Sequence, residues 1–113
     1  MPLTRAFIPY GAFWSSPFCR WQGTFGTLHA IELAARTTTR ALAARKIDPK
    51  GFDGLVLGTT VPQRQSFYGA PWLAGMIGAP GITGPTVSQA CATSVRALAT
   101  AAMAVEAGLG GSV

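Results

Sequence analysis

The chain has 113 residues, enough for one modest domain, and reads as a single incomplete α/β domain over residues 1–113. Hydrophobic residues make up 49% and charged residues 12%, which excludes a disordered chain and leaves a thin polar shell for a solitary domain. The net charge is +5, but the cations are scattered and cluster only at Arg45-Lys46, so the sequence lacks the dense basic stripe of a nucleic-acid-binding protein.

Residues 3–8 suit a short first strand. Residues 9–22 are aromatic and turn-rich, with Tyr10, Phe13, Trp14, Phe18 and Trp21 among glycine and proline, and read as a packed loop. From residue 27 to 46 the pattern turns helical: Leu28, Ile31, Ala35, Thr38 and Leu42 recur at three- and four-residue steps. Asp48-Pro49 and Gly51 end that helix. His29 lies near its start and reads as a partly exposed helix histidine rather than a catalytic group.

Gly54-Leu55-Val56-Leu57-Gly58-Thr59-Thr60 is short and continuously apolar, the signature of a strand covered on both faces. Residues 61–85 are rich in glycine and proline, with a short helix expected over residues 71–77. An uncharged run from 65 to 95 is broken by Pro71, Pro80 and Pro85, which excludes a membrane span. Residues 86–90 are the next expected strand. A helix over 92–108 follows, apolar almost all round and therefore expected to be buried; Gly108, Gly110 and Gly111 stop it. Ser112-Val113 reads as the first step of another strand, so the chain is expected to end within a larger architecture.

Cys91 stands at the junction of that strand and that helix. A sulfur there lies beside the unpaired N–H groups and positive dipole end of the helix, a placement that suits a sulfur nucleophile. Ser88, Thr93 and Ser94 around it suit local backbone hydrogen bonding better than a serine nucleophile, and Arg96 an ion pair or polar helix edge better than a phosphate contact. Cys19 and Cys91 could pair, but their spacing suggests no disulfide framework, and with one histidine no metal site is expected. The amino terminus lacks a signal peptide's apolar core, and a cytoplasmic location is the default expectation.

The strand ending near Gly58-Thr59, the loop Gly75-Met76-Ile77-Gly78-Ala79-Pro80, the block Thr86-Val87-Ser88-Gln89-Ala90-Cys91-Ala92 and the small-residue helix ending Glu106-Ala107-Gly108 together resemble the amino-terminal part of thiolases. The resemblance implies a layered α/β/α fold, of which this chain supplies the first part of the N-terminal half. It implies that Cys91 is the catalytic nucleophile, acylated by a thioester. The acyl group then passes to coenzyme A in degradation, or to the carbanion of a second acyl-CoA in synthesis. It implies coenzyme A and acyl-CoA as substrates with no tightly bound cofactor, and a homodimer, tetramer or complementing chain. The Cys91 N–H would help to hold the oxyanion.

Two segments depart from the family pattern. Cys91-Ala92-Thr93-Ser94 stands where thiolases commonly show Cys-Ala-Ser-Gly or Cys-Gly-Ser-Gly, and is closer to β-ketoacyl synthases; the distance of the cysteine from the amino terminus favours thiolase. Gln65-Ser66-Phe67-Tyr68-Gly69 replaces the usual Gln-Asn-x-(Ala/Gly)-Arg loop. The family's acid/base histidine and second cysteine have no counterpart here, and His29 and Cys19 do not take their roles, so little turnover is expected from these residues alone. A β-ketoacyl synthase-like condensing enzyme, and a non-enzymatic thiolase-like partner or truncated product, are the alternative readings.

Overall fold

The computed structural model describes residues 2–113. Its elements in chain order are α1 (Ala30–Ala44), β1 (Leu57–Gly58), α2 (Gly69–Met76), β2 (Thr86–Val87) and α3 (Thr93–Glu106). The two strands pair in parallel, with Leu57 opposite Thr86 and Gly58 opposite Val87. Hydrogen bonds extend the pairing beyond this core: the N–H groups of Leu55, Leu57 and Thr59 donate to the carbonyls of Thr83, Pro85 and Val87 at 3.0–3.1 Å.

Side chains alternate across a strand, and that alternation builds the layers. Leu55 and Leu57 face α1 and α2, where Ile31, Ala35, Leu73, Ile77 and Ala79 form the core. Gly58 faces α3: a β-carbon there would come within 2.9 Å of the Thr93 methyl and 3.5 Å of Ala97. The result is two helices on one face of the parallel pair and one on the other, the expected α/β/α layering.

All three helices close in the same way. Ile47, Ala79 and Leu109 donate back to Leu42, Ala74 and Ala104 at 2.8–3.0 Å, the long bond of a Schellman turn. Gly78 and Gly108 take the left-handed conformation that this turn requires, with φ of +92° and +74°, and in α1 Lys46 takes it at +55°. The first helix is capped at its start by His29, whose Nδ1 accepts the Ile31 N–H at 3.2 Å, and by Gln63, whose Oε1 accepts the Ala30 N–H at 2.7 Å.

Several expectations fail. Residues 9–22 are not a packed loop, since Tyr10, Phe13, Phe18 and Trp21 stand exposed, and Ser112-Val113 is not in a strand. Residues 3–8 form no strand. The N–H groups of Thr4, Arg5 and Ala6 instead converge on one carboxylate oxygen of Glu106 at 2.6–2.8 Å, which uses the donors that a ladder would need. The last helix is not buried within this chain. Thr93 is its one buried residue among those described, while Val95 is 69% exposed and Leu98 54%. The sheet supplies only two strands for α3 to lie on, so one side is covered and the other is open. Ser112 meets the start of the β1 segment, its carbonyl accepting the Asp53 N–H at 2.8 Å, while the Asp53 carboxylate accepts the N–H groups of Gly111 and Ser112.

Candidate active site

After β2 the chain reverses at Ala90, whose φ is +47°. Left-handed backbone on an alanine costs about 1–2 kcal/mol, so the surrounding bonds must hold it. A 3₁₀ turn over Ala90–Ala92 follows, and α3 begins at Thr93. Cys91 is the middle residue of that turn, and it is exposed.

Thr93 organises the turn. It is 3% exposed. Its Oγ1 accepts the Gln89 N–H at 2.8 Å and donates to the Ala90 carbonyl at 2.7 Å. The Gln89 carbonyl accepts the Ala92 N–H at 2.9 Å, and its side-chain oxygen accepts from Arg96 Nε at 2.8 Å. The Thr93 N–H donates to the Ala90 carbonyl. The Thr93 methyl rests over Gly58, which ties the turn to β1. The family pattern carries a serine at this position, so threonine keeps the hydroxyl that makes these bonds.

The other candidates lie in different settings. Both ring nitrogens of His29 are occupied: Nδ1 caps α1, and Nε2 therefore carries the hydrogen and donates to the Arg64 carbonyl at 2.7 Å. Its ring packs against Trp72 with centroids 5.0 Å apart. Cys19 is exposed in the aromatic loop. A cavity of about 560 Å³ borders the start of α3; its wall includes Gly58, Thr93, Ser94 and Ala97 but not Cys91. The cysteine is thus presented at the surface beside this cavity rather than inside it. Sequence reasoning singles out Cys91 as a candidate and finds the bonding role of Thr93, because both signals are local. It misses Gly58 and Glu106, whose partners lie far along the chain.

A parallel pair layered between helices, with a cysteine lifted on the turn from strand to helix, defines a layered α/β domain with a candidate sulfur nucleophile. The model for the thiolase N-terminal domain matches residues 12–111, a span that holds every helix and strand together with Cys91. The chain belongs to the thiolase family. That membership puts it, at the level of the family, among thiolase-type acyltransferases. No curated protein compared with the chain matches it.

Proposed function

We propose that this chain carries the nucleophile half of a thiolase-type acyltransferase acting on coenzyme A thioesters, through an acyl-Cys91 intermediate. One observation carries the reading: Cys91 is exposed on a braced strand-to-helix turn inside the span that matches the family. In the proposed step the Cys91 sulfur attacks the thioester carbonyl. The carbon–sulfur bond to coenzyme A breaks, and coenzyme A leaves as a thiolate that takes up a proton. Exchange of one thioester for another is nearly balanced in energy, and the acyl-enzyme splits one difficult transfer into two. The Ala92 and Thr93 N–H groups are spent on the turn, which leaves the Cys91 N–H to hold the oxyanion.

Passing the acyl group onward, by thiolysis or by Claisen condensation, needs a proton acceptor and a proton donor at the sulfur. His29 is committed to capping and to Arg64, so we assign those roles to a complementing segment or chain, and little turnover to these residues alone. The exposed Val95, Leu98 and Met103 on α3 support such a covering partner, or a second copy in a homodimer. The cytoplasm is the proposed location.

Cys19 provides an internal control, since it too is free and exposed. Incubation with acetyl-CoA is expected to protect Cys91 from iodoacetamide while Cys19 still alkylates. Equal protection of both thiols, or of neither, would remove the support for an acyl-Cys91.

A further inference from the structure

The charge of this molecule is concentrated in one half of the chain. Residues 1–50 carry seven lysines and arginines against Glu32 and Asp48, whereas residues 51–113 carry two cations and two acids. The whole net charge of +5 therefore belongs to the segment that runs from the amino terminus through the aromatic loop and α1 to the turn after it. The same loop exposes large apolar side chains: Phe18 is 97% exposed, Trp21 85% and Phe13 74%.

The loop is held in place rather than free. Arg45 donates to the carbonyls of Gly11 at 2.8 Å and Phe13 at 2.9 Å, and its guanidinium lies 5.1 Å from the centre of the Trp14 ring. Farther along, Pro17 and Phe25 of the loop and Arg36 and Arg40 of α1 border one groove of about 600 Å³, with Leu33 and Met76 in its wall. Arg36 and Arg40 are one turn apart and point from one helix face. Phe18, Arg20 and Trp21 lie between Pro17 and Phe25 in the chain, so the protruding aromatics belong to the same segment that borders this groove.

We propose that this loop and the outer face of α1 form a docking surface for an anionic lipid bilayer. Aromatic side chains settle at the boundary of headgroups and acyl chains, and arginines nearby are drawn to anionic headgroups. The combination joins an apolar and an electrostatic contribution to binding at the surface. No helix among the described residues is long and apolar enough to cross a membrane, so the attachment is to the surface. A second copy is the poorer occupant: a two-fold interface would set the same basic face against itself. A nucleic acid is poorer too, because the cations do not form a continuous track.

Cosedimentation with vesicles tests this on the intact chain. Binding is expected with vesicles containing phosphatidylserine, weak binding with pure phosphatidylcholine, and a steep loss as salt is raised. The double variant Arg36→Gln, Arg40→Gln should bind about 30-fold more weakly, at roughly fivefold per cation removed. Phe18→Ser with Trp21→Ser should abolish the blue shift of tryptophan fluorescence on vesicle binding. All four side chains lie outside the core, and the salt and lipid dependence of the unaltered chain decides the matter without any variant. Equal binding to both vesicle types, no binding, or displacement from vesicles by RNA would overturn the proposal. So would a concentration-dependent dimer that the same variants abolish.

Discussion

Thr93 does more for the candidate site than any other residue near Cys91. Its hydroxyl receives one backbone hydrogen bond and gives another, and both close the turn that displays the sulfur. Replacing it with valine keeps the shape and strips both bonds. Thr93→Val is expected to cost about 1–3 kcal/mol, because a half-buried N–H at Gln89 is left without its partner. Thr93→Ser keeps the bonds and loses one methyl group, worth about 0.8 kcal/mol. Amide exchange at Gln89 separates the two effects: it should accelerate in the valine variant and stay slow in the serine variant. Unchanged exchange in Thr93→Val would show that the turn is held by something else. The place of Cys91 on the turn and the bonding role of Thr93 were legible in the sequence because both are local. A cysteine between a β-branched segment and an alanine-rich helix, with a hydroxyl two residues on, describes a turn that needs no distant partner.

At the scale of elements, the approach of α3 to β1 depends on the missing side chain at Gly58. A methyl group there would sit 2.9 Å from the Thr93 methyl and 3.5 Å from Ala97. Gly58→Ala should push the start of the helix off the strand and lower stability by about 1–3 kcal/mol, read as a shift in the denaturation midpoint. An unshifted midpoint would mean that the layer spacing is looser than described. The opposite end of α3 carries a second fastening. Three N–H groups from the amino terminus surround one oxygen of Glu106, and the bonds from Ala6, Arg5 and Thr4 hold its carboxyl below the usual carboxylate range. A lowered value in the folded state means that the fastening is complete above the ordinary carboxylate range. It is lost as pH falls through the depressed value. Amide resonances of Thr4, Arg5 and Ala6 should therefore shift together on acidification, and should show no such step in Glu106→Gln. These long-range pairings explain what the sequence concealed. Residues 3–8 have the composition of a strand, but strand formation requires an edge to pair with, and their donors are taken by a residue about 100 positions away. The apolar pattern of α3 correctly marks a helix that wants cover. It does not say whether this chain provides that cover.

The molecule as a whole divides into two unlike parts. The amino-terminal half holds the entire excess charge and most of the protruding aromatics, and the carboxy-terminal half is neutral and holds the candidate nucleophile. The layered arrangement keeps them together: α1 and α2 make the core on one face of the sheet, and α3 carries the Cys91 turn on the other. The low charge content leaves a thin polar shell, and Val95, Leu98 and Met103 on α3 are exposed in this chain. Family membership follows from the match over residues 12–111, whereas the chemistry at Cys91 rests on its place in the turn. The most direct measurement is incubation of the chain with radiolabelled acetyl-CoA, followed by proteolysis and mapping of the label. Label on the peptide that contains Cys91, absent from the Cys19 peptide and abolished by Cys91→Ser, is the expected result. Label divided equally between the two cysteines, or no label on Cys91 once a complementing segment is supplied, would contradict acyl transfer through this sulfur.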